Sequence, residues 1–162
     1  AQAEIKIGVV NAARLLQESP QAKAVQESMR NEFAPKQREL AAEQAALKAK
    51  QEKYEKDAPT MSADQRAKAD KDLRDSNRQH AQKVTDFQED ANTRQNEELS
   101  RLQSAIIAEV QSYALAQKFD LVLTEGVVYA NSSLDITAAV LAGLQAHSSA
   151  APAAKPAPPA TK

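Results

Sequence analysis

The sequence has no cysteine and no tryptophan. Without cysteine there are no disulfide staples and no thiolate metal ligands, although an exported chain can lack both, so the compartment stays open. Glycine occurs only 3 times in 162 residues, which suits long uninterrupted helices. No apolar run approaches the ~20 residues that a membrane span needs. Charge of one sign is also missing: the net charge is −1, so bulk charge points to no polyanion and no nucleic-acid partner. Hydrophobic residues make up 42% of the chain and aromatics only 4%. Much of the 42% is alanine, which forms helix well but buries little area, so a large monomeric core is not expected.

The chemistry of catalysis is scarce as well. The histidines are His80 and His147, both read as solvated surface residues, so no serine has a base in evident reach. There is no glycine-rich phosphate loop and no His/Cys cluster. Asp70, Asp72 and Asp75 are interleaved with Lys71 and Arg74, the pattern of a solvated helix face rather than a metal site. No enzyme and no cofactor are indicated.

What is present is a set of helix signals between two small strand signals. Ile5–Val10 (IKIGVV) is β-branched and reads as a strand. Asn11 can cap a short helix with Leu15 and Leu16 as its apolar contacts. Ser19-Pro20 supplies a cap and a first-turn proline for the next helix, which runs to about Asp57. In it Phe33, Leu40, Leu47 and Tyr54 recur every seventh residue, a narrow stripe for a facing helix. Pro35 interrupts the backbone bonding and predicts a kink, the arm's hinge. Residues 57–62 are turn-like, and Ser62 with Gln65 forms a capping box that restarts a helix to about Lys118. Two such helices joined by a short turn make an antiparallel hairpin, and the longer one would reach on the order of 80 Å.

After it, Leu121–Thr124 and Val127–Ala130, joined through Glu125-Gly126, read as a hairpin of strands. Asp135 caps a closing helix whose apolar face is Ile136, Val140, Leu141 and Leu144. The expected fold class is α+β and mostly helical. A long, coiled-coil-like helical hairpin projects from a small β-rich body of three short strands built by both chain ends. The organisation is body over 1–20, arm over 21–115 with its tip near 57–62, body again over 116–146, and a disordered Pro/Ala-rich tail over 147–162. A body below ~70 residues rarely stands alone, so an oligomer is expected.

Charge is laid out unevenly. Lys48–Lys83 holds ten basic and seven acidic residues, whereas Val84–Glu125 holds three basic and eight acidic. The arm tip, with Lys48, Lys50, Lys53, Lys56, Arg66 and Lys68, is therefore the candidate contact for acidic clients or anionic lipid. The thin apolar stripe predicts arms that bend and splay. A ring of such arms would hold an unfolded chain through many weak contacts, while the bland alternative is a rigid spacer. The first residues, AQAEIKIG, fit a chain left by removal of a secretory leader and equally one trimmed otherwise.

The stretches IKIGVVNAARLLQESPQAK and KFDLVLTEGVVYANSSLDITAAVLAGL resemble the Skp/OmpH-like family of periplasmic chaperones for outer-membrane proteins. The likeness covers nearly all of the chain except the tail. It implies a periplasmic homotrimer whose body combines strands of all three chains. Three arms would surround a cavity that holds unfolded outer-membrane β-barrel proteins without ATP. The positions matching the family's body are Ile5, Ile7, Val9, Val10, Leu121, Val122, Leu123, Val127, Val128 and Ile136. Near-neutral charge leaves only the mildly cationic tips to support weak contact with anionic lipid or lipopolysaccharide. The alternatives from other classes are a coiled-coil adaptor gripping one folded partner through its tips, and a membrane-surface protein.

Overall fold

A computed structural model describes residues 3–149 of the chain. The elements in order are strand β1 (Ile7–Val9), helix α1 (Ala12–Glu18), helix α2 (Pro20–Asp57), helix α3 (Ala63–Ala116), strand β2 (Leu121–Leu123) and helix α4 (Thr137–Ser149). Two compact units divide them: Glu27–Glu97, and the described residues on either side of it.

The second of these, the sheet unit, is started by local capping. The Asn11 side chain accepts the Arg14 N–H at 3.0 Å and opens α1. The buried Ser19 hydroxyl accepts the Ala22 N–H at 3.2 Å, and Pro20 is the first residue of α2. At the far end Asp135 accepts both the N–H and the hydroxyl of the buried Thr137, whose own oxygen accepts the Asn11 N–H at 2.9 Å. One buried threonine thus joins the starts of α1 and α4.

β1 and β2 pair in parallel, Ile7 with Leu121, Gly8 with Val122 and Val9 with Leu123. Parallel pairing requires a crossover, and here the whole helical hairpin supplies it. Val10, Leu15, Ala22, Leu102, Ile106, Val110, Ile136, Val140 and Leu144 form the core beneath. Gly8 sits closely there: a Cβ would come to 3.0 Å from both Ile136 Cδ1 and Phe119 Cε1, so those side chains would have to give way. α3 ends in a paired-bond cap. Lys118, with φ 59°, donates to Leu115 O at 3.3 Å, and Phe119 donates to Ala114 O at 2.9 Å. This motif prefers glycine at the left-handed position, and a lysine occupies it.

Two expectations are corrected here. Val127–Ala130 is not a strand, so the sheet has two strands rather than three and there is no strand hairpin. The second edge of β1 is already taken, because Ile136 donates to Val9 O at 2.9 Å and Asp135 bridges Val9. Gly126, at φ 74°, turns the chain out of β2, and Val127–Ala130 finds no partner within the described chain. The closing helix also runs through His147 to Ser149, residues expected in the tail. The rest of the expected tail, 150–162, lies outside the described residues.

In the hairpin unit α2 and α3 run antiparallel, as their partners show. Going forward along α2, Glu32 meets Arg94, Phe33 meets Phe87, Glu43 meets His80 and Lys83, and Lys50 meets Ser76. α2 continues through Pro35 without a break. At the turn, the expected capping box is present in both directions. Ser62 N–H donates to Gln65 Oε1 at 3.0 Å, and Gln65 N–H donates to Ser62 Oγ at 3.2 Å.

Candidate functional site: an open sheet edge and a polar seam

The sheet unit leaves one edge unfinished. Leu121 N–H donates to Lys6 O at 3.3 Å and Leu123 O accepts the Val10 N–H at 2.9 Å, so both face β1. In a parallel ladder the intervening Val122 then directs its N–H and C=O the other way, where the described chain places no strand. Beside this edge lies an open groove of ≈ 650 Å³ walled by Leu16, Ile106, Ile107, Val110, Phe119 and Leu121, with Asp120 and Glu125 among its lining residues. Val128 at 102% and Tyr129 at 84% relative exposure lie just beyond the Gly126 turn that follows β2. A free ladder edge next to an apolar groove is a template for another strand.

The strand's entry is fixed by a residue that sequence reasoning passed over. Lys6 donates its backbone N–H to Asp120 Oδ2 at 2.7 Å and its ammonium to Gln117 O at 2.7 Å. The same ammonium sits 4.4 Å from the Phe119 ring centroid. A cation at the carbonyl end of α3 is favoured by the helix dipole, and the ring adds to it. The signal was a charge set between the apolar residues of IKIG.

In the hairpin unit the seam between the helices is largely polar. Glu43 bridges His80, 3.3 Å away, and Lys83. The Lys83 hydrogen bond, and then that of His80, holds the Glu43 carboxyl below its usual range, and the same contact raises Lys83. Tyr54 faces Asp70, whose hydrogen bond pushes the phenol upward. His80 was expected in solvent, yet its side chain is 11% exposed and belongs to the seam. His147 is 66% exposed at the side chain and pairs with Glu109 at 2.7 Å.

The expected body positions fall into three groups. Val10 and Ile136 are core residues of the single chain. Ile7, Val9, Val122 and Val127 are half-buried, while Ile5, Leu121, Leu123 and Val128 are exposed. Near the turn Lys48, Lys50, Lys53, Lys56, Arg66 and Lys68 are all exposed, and Lys50 reaches Ser76 Oγ at 3.3 Å. Pro35 is exposed on α2. Among the described residues no cluster of three or more His, Cys, Asp or Glu is placed to hold a metal ion. No helix among them is long and apolar enough to cross a membrane.

The family described as "Outer membrane protein (OmpH-like)" matches residues 6–144, from the Lys6 clamp to the core residue Leu144. The chain belongs to the OmpH-like family. This OmpH-like chain is 35% identical over 141 residues to the chaperone protein Skp of Pectobacterium atrosepticum, covering 86% of each chain. It is 36% identical over 143 residues to the chaperone protein Skp of Escherichia coli K12, covering 87% of each. Its fold resembles the crystal structure of an OmpH-like protein from Caulobacter crescentus CB15, with a TM-score of 0.81. That alignment covers 91% of this chain and 88% of the other at 24% identity, a likeness of fold. The OmpH-like fold is therefore the long helical hairpin together with the small sheet found here.

Proposed function

We propose that this OmpH-like chain is a non-enzymatic, ATP-independent holdase that keeps unfolded outer-membrane proteins from aggregating in the periplasm, acting as a homotrimer with a central cavity. The family and its relatives named as chaperones support the chaperone role. The observation that carries the self-association is the unfinished edge of β2 with its groove. In this reading, Val127–Ala130 of one copy adds to the β2 edge of the next, and Val128 and Tyr129 enter the groove. Each copy offers an edge and a strand of different sequence, so the contact is head-to-tail, and a three-fold rotation per copy closes it into a ring. The exposed Ile5, Leu121 and Leu123 lie on the same contact.

The basic residues at the turn serve as the outer contact, for acidic client segments or weakly for anionic lipid. Pro35 is assigned as the arm's hinge. Client contact is spread over many weak points, which separates this reading from an adaptor with one folded partner. Replacing Lys48, Lys50, Lys53 and Lys56 by Ala is expected to weaken client binding in a graded way, where an adaptor would lose it outright.

The test is dilution of a urea-denatured β-barrel protein into buffer with the chain, followed by light scattering. Suppression at about one trimer per client, with a native mass of three chains of 17.5 kDa each, is the expected result. A monomer by native mass, or aggregation unchanged at any excess, overturns the proposal.

A further inference from the structure

A holdase needs apolar surface to offer, and the hairpin unit carries no exposed large hydrophobic side chain. Every exposed large hydrophobic side chain among the described residues lies outside Glu27–Glu97: Ile5, Leu99, Ile107, Leu115, Leu121, Leu123, Val128, Tyr129 and Leu134. Inside Glu27–Glu97 the large apolar side chains Phe33, Leu40, Leu47, Val84 and Phe87 are half-buried, and the Phe33 and Phe87 rings meet across the seam with centroids 5.8 Å apart. Only Leu73 is buried, at 8% relative exposure.

The seam is also incompletely filled. Two open notches, ≈ 270 Å³ and ≈ 280 Å³, flank Leu47 and count it among their walls. What holds the helices together there includes the Glu43–Lys83 and Glu32–Arg94 ion pairs and the Lys50–Ser76 hydrogen bond, all partly or largely in water. Ion pairs in such positions contribute little to stability. Pro35 removes one backbone bond from α2 beside Phe33. Parting the helices therefore exposes Phe33, Leu40, Leu47, Val84, Phe87 and Leu73, a cost that the apolar side chains of a bound chain would offset.

We propose that the seam between α2 and α3 is itself the surface that receives apolar side chains of an unfolded polypeptide, which replace those of the facing helix as the hairpin parts. The inference rests on the holdase reading and specifies where its apolar contacts are made. The occupant is an unfolded chain because the seam is a thin line of separate apolar positions, spaced by charged and amide groups, with no shaped pocket for a folded partner. Self-association is left to the sheet unit, where the free edge lies.

The absence of cysteine makes the test specific, since an introduced pair is unique. Lys50→Cys with Ser76→Cys, on facing helices, is joined by a short bismaleimide. The controls are the unlinked double variant and each single variant carrying the same reagent. The probe is a fluorescently labelled, urea-denatured outer-membrane β-barrel protein diluted into the full trimer, read by anisotropy. Native mass and far-UV circular dichroism are read alongside to show that assembly and helix content are intact. The linked protein is expected to lose tenfold or more in affinity relative to the unlinked double variant, which itself carries only the graded loss expected from replacing Lys50. Equal affinity of linked and unlinked protein overturns the seam as the site and leaves the holdase reading standing. A parent chain that fails to bind the client removes both.

Discussion

The two units are built partly from the same two helices, yet they hold themselves together differently. In the sheet unit Leu15 and Val140 are at 0% relative exposure, Val10 at 1% and Leu144 at 2%. In the hairpin unit the best-covered large side chain is Leu73 at 8%. One unit is fixed by close-packed shape, the other by a ladder of polar rungs that sets register without much apolar burial. Register and cohesion are thus supplied by different chemistry, and a rung can hold two helices in line while resisting separation weakly.

The contrast is broken most severely in the core. Leu15→Ala is expected to cost about 2–5 kcal/mol in global stability, the range for a fully buried leucine. Leu47→Ala, at the half-open seam, is expected to cost well under half of that. Urea unfolding of the two variants, followed by circular dichroism, measures the ratio, and equal losses would mean the hairpin seam is packed like a core.

A smaller and pH-dependent effect is expected at Glu43. Its carboxyl is held below the ordinary range by Lys83 and His80. Its contribution is therefore fully present above the ordinary carboxylate range and is lost as pH falls through the lowered value. Glu43→Gln is expected to lower the melting temperature at neutral pH, and the difference from the parent is expected to vanish under strongly acid conditions. A difference that persisted there would assign the effect to packing instead.

The smallest expected effect sharpens the sheet unit. Lys118→Gly relieves a left-handed lysine, and the gain is offset in part by the added freedom of glycine in the unfolded chain. A net stabilisation of about 0.5–1 kcal/mol is expected by the same urea titration. No gain would mean that the Lys118 side chain makes a compensating contact.

Local signals were legible and partner-dependent ones were not. Asn11, Ser19-Pro20 and the Ser62/Gln65 box act within a few residues, and each makes the capping bond its sequence suggests. Whether Val127–Ala130 forms a strand depends on a free edge elsewhere, and β1 gives its second edge to Asp135 and Ile136. Residue type cannot disclose that competition. The groove beside β2 was hidden for the same reason, since its walls come from α1, α3 and β2.

His80 was missed although its spacing announced it. Leu73, His80, Phe87 and Arg94 recur every seventh residue on α3, just as Phe33, Leu40, Leu47 and Tyr54 do on α2. Reading only the apolar members of that repeat left the histidine to the solvent. The neighbouring repeat positions Glu43 and Lys50 on α2, and Ser76 and Lys83 on α3, are polar throughout. In a chain this short of large apolar residues, seam positions fall to polar ones, and spacing is a better guide than hydropathy.

The parallel pairing of Ile7–Val9 with Leu121–Leu123 has a temporal consequence. β1 leaves a ribosome or a translocation channel before its mate, which follows more than a hundred residues later. Until that mate arrives, neither β1 nor the Lys6 clamp has anything to close upon, whereas α2 can begin to coil from its own residues. Contacts this distant along a chain form slowly. The two strands must therefore wait for the hairpin between them, which can coil before any sheet exists.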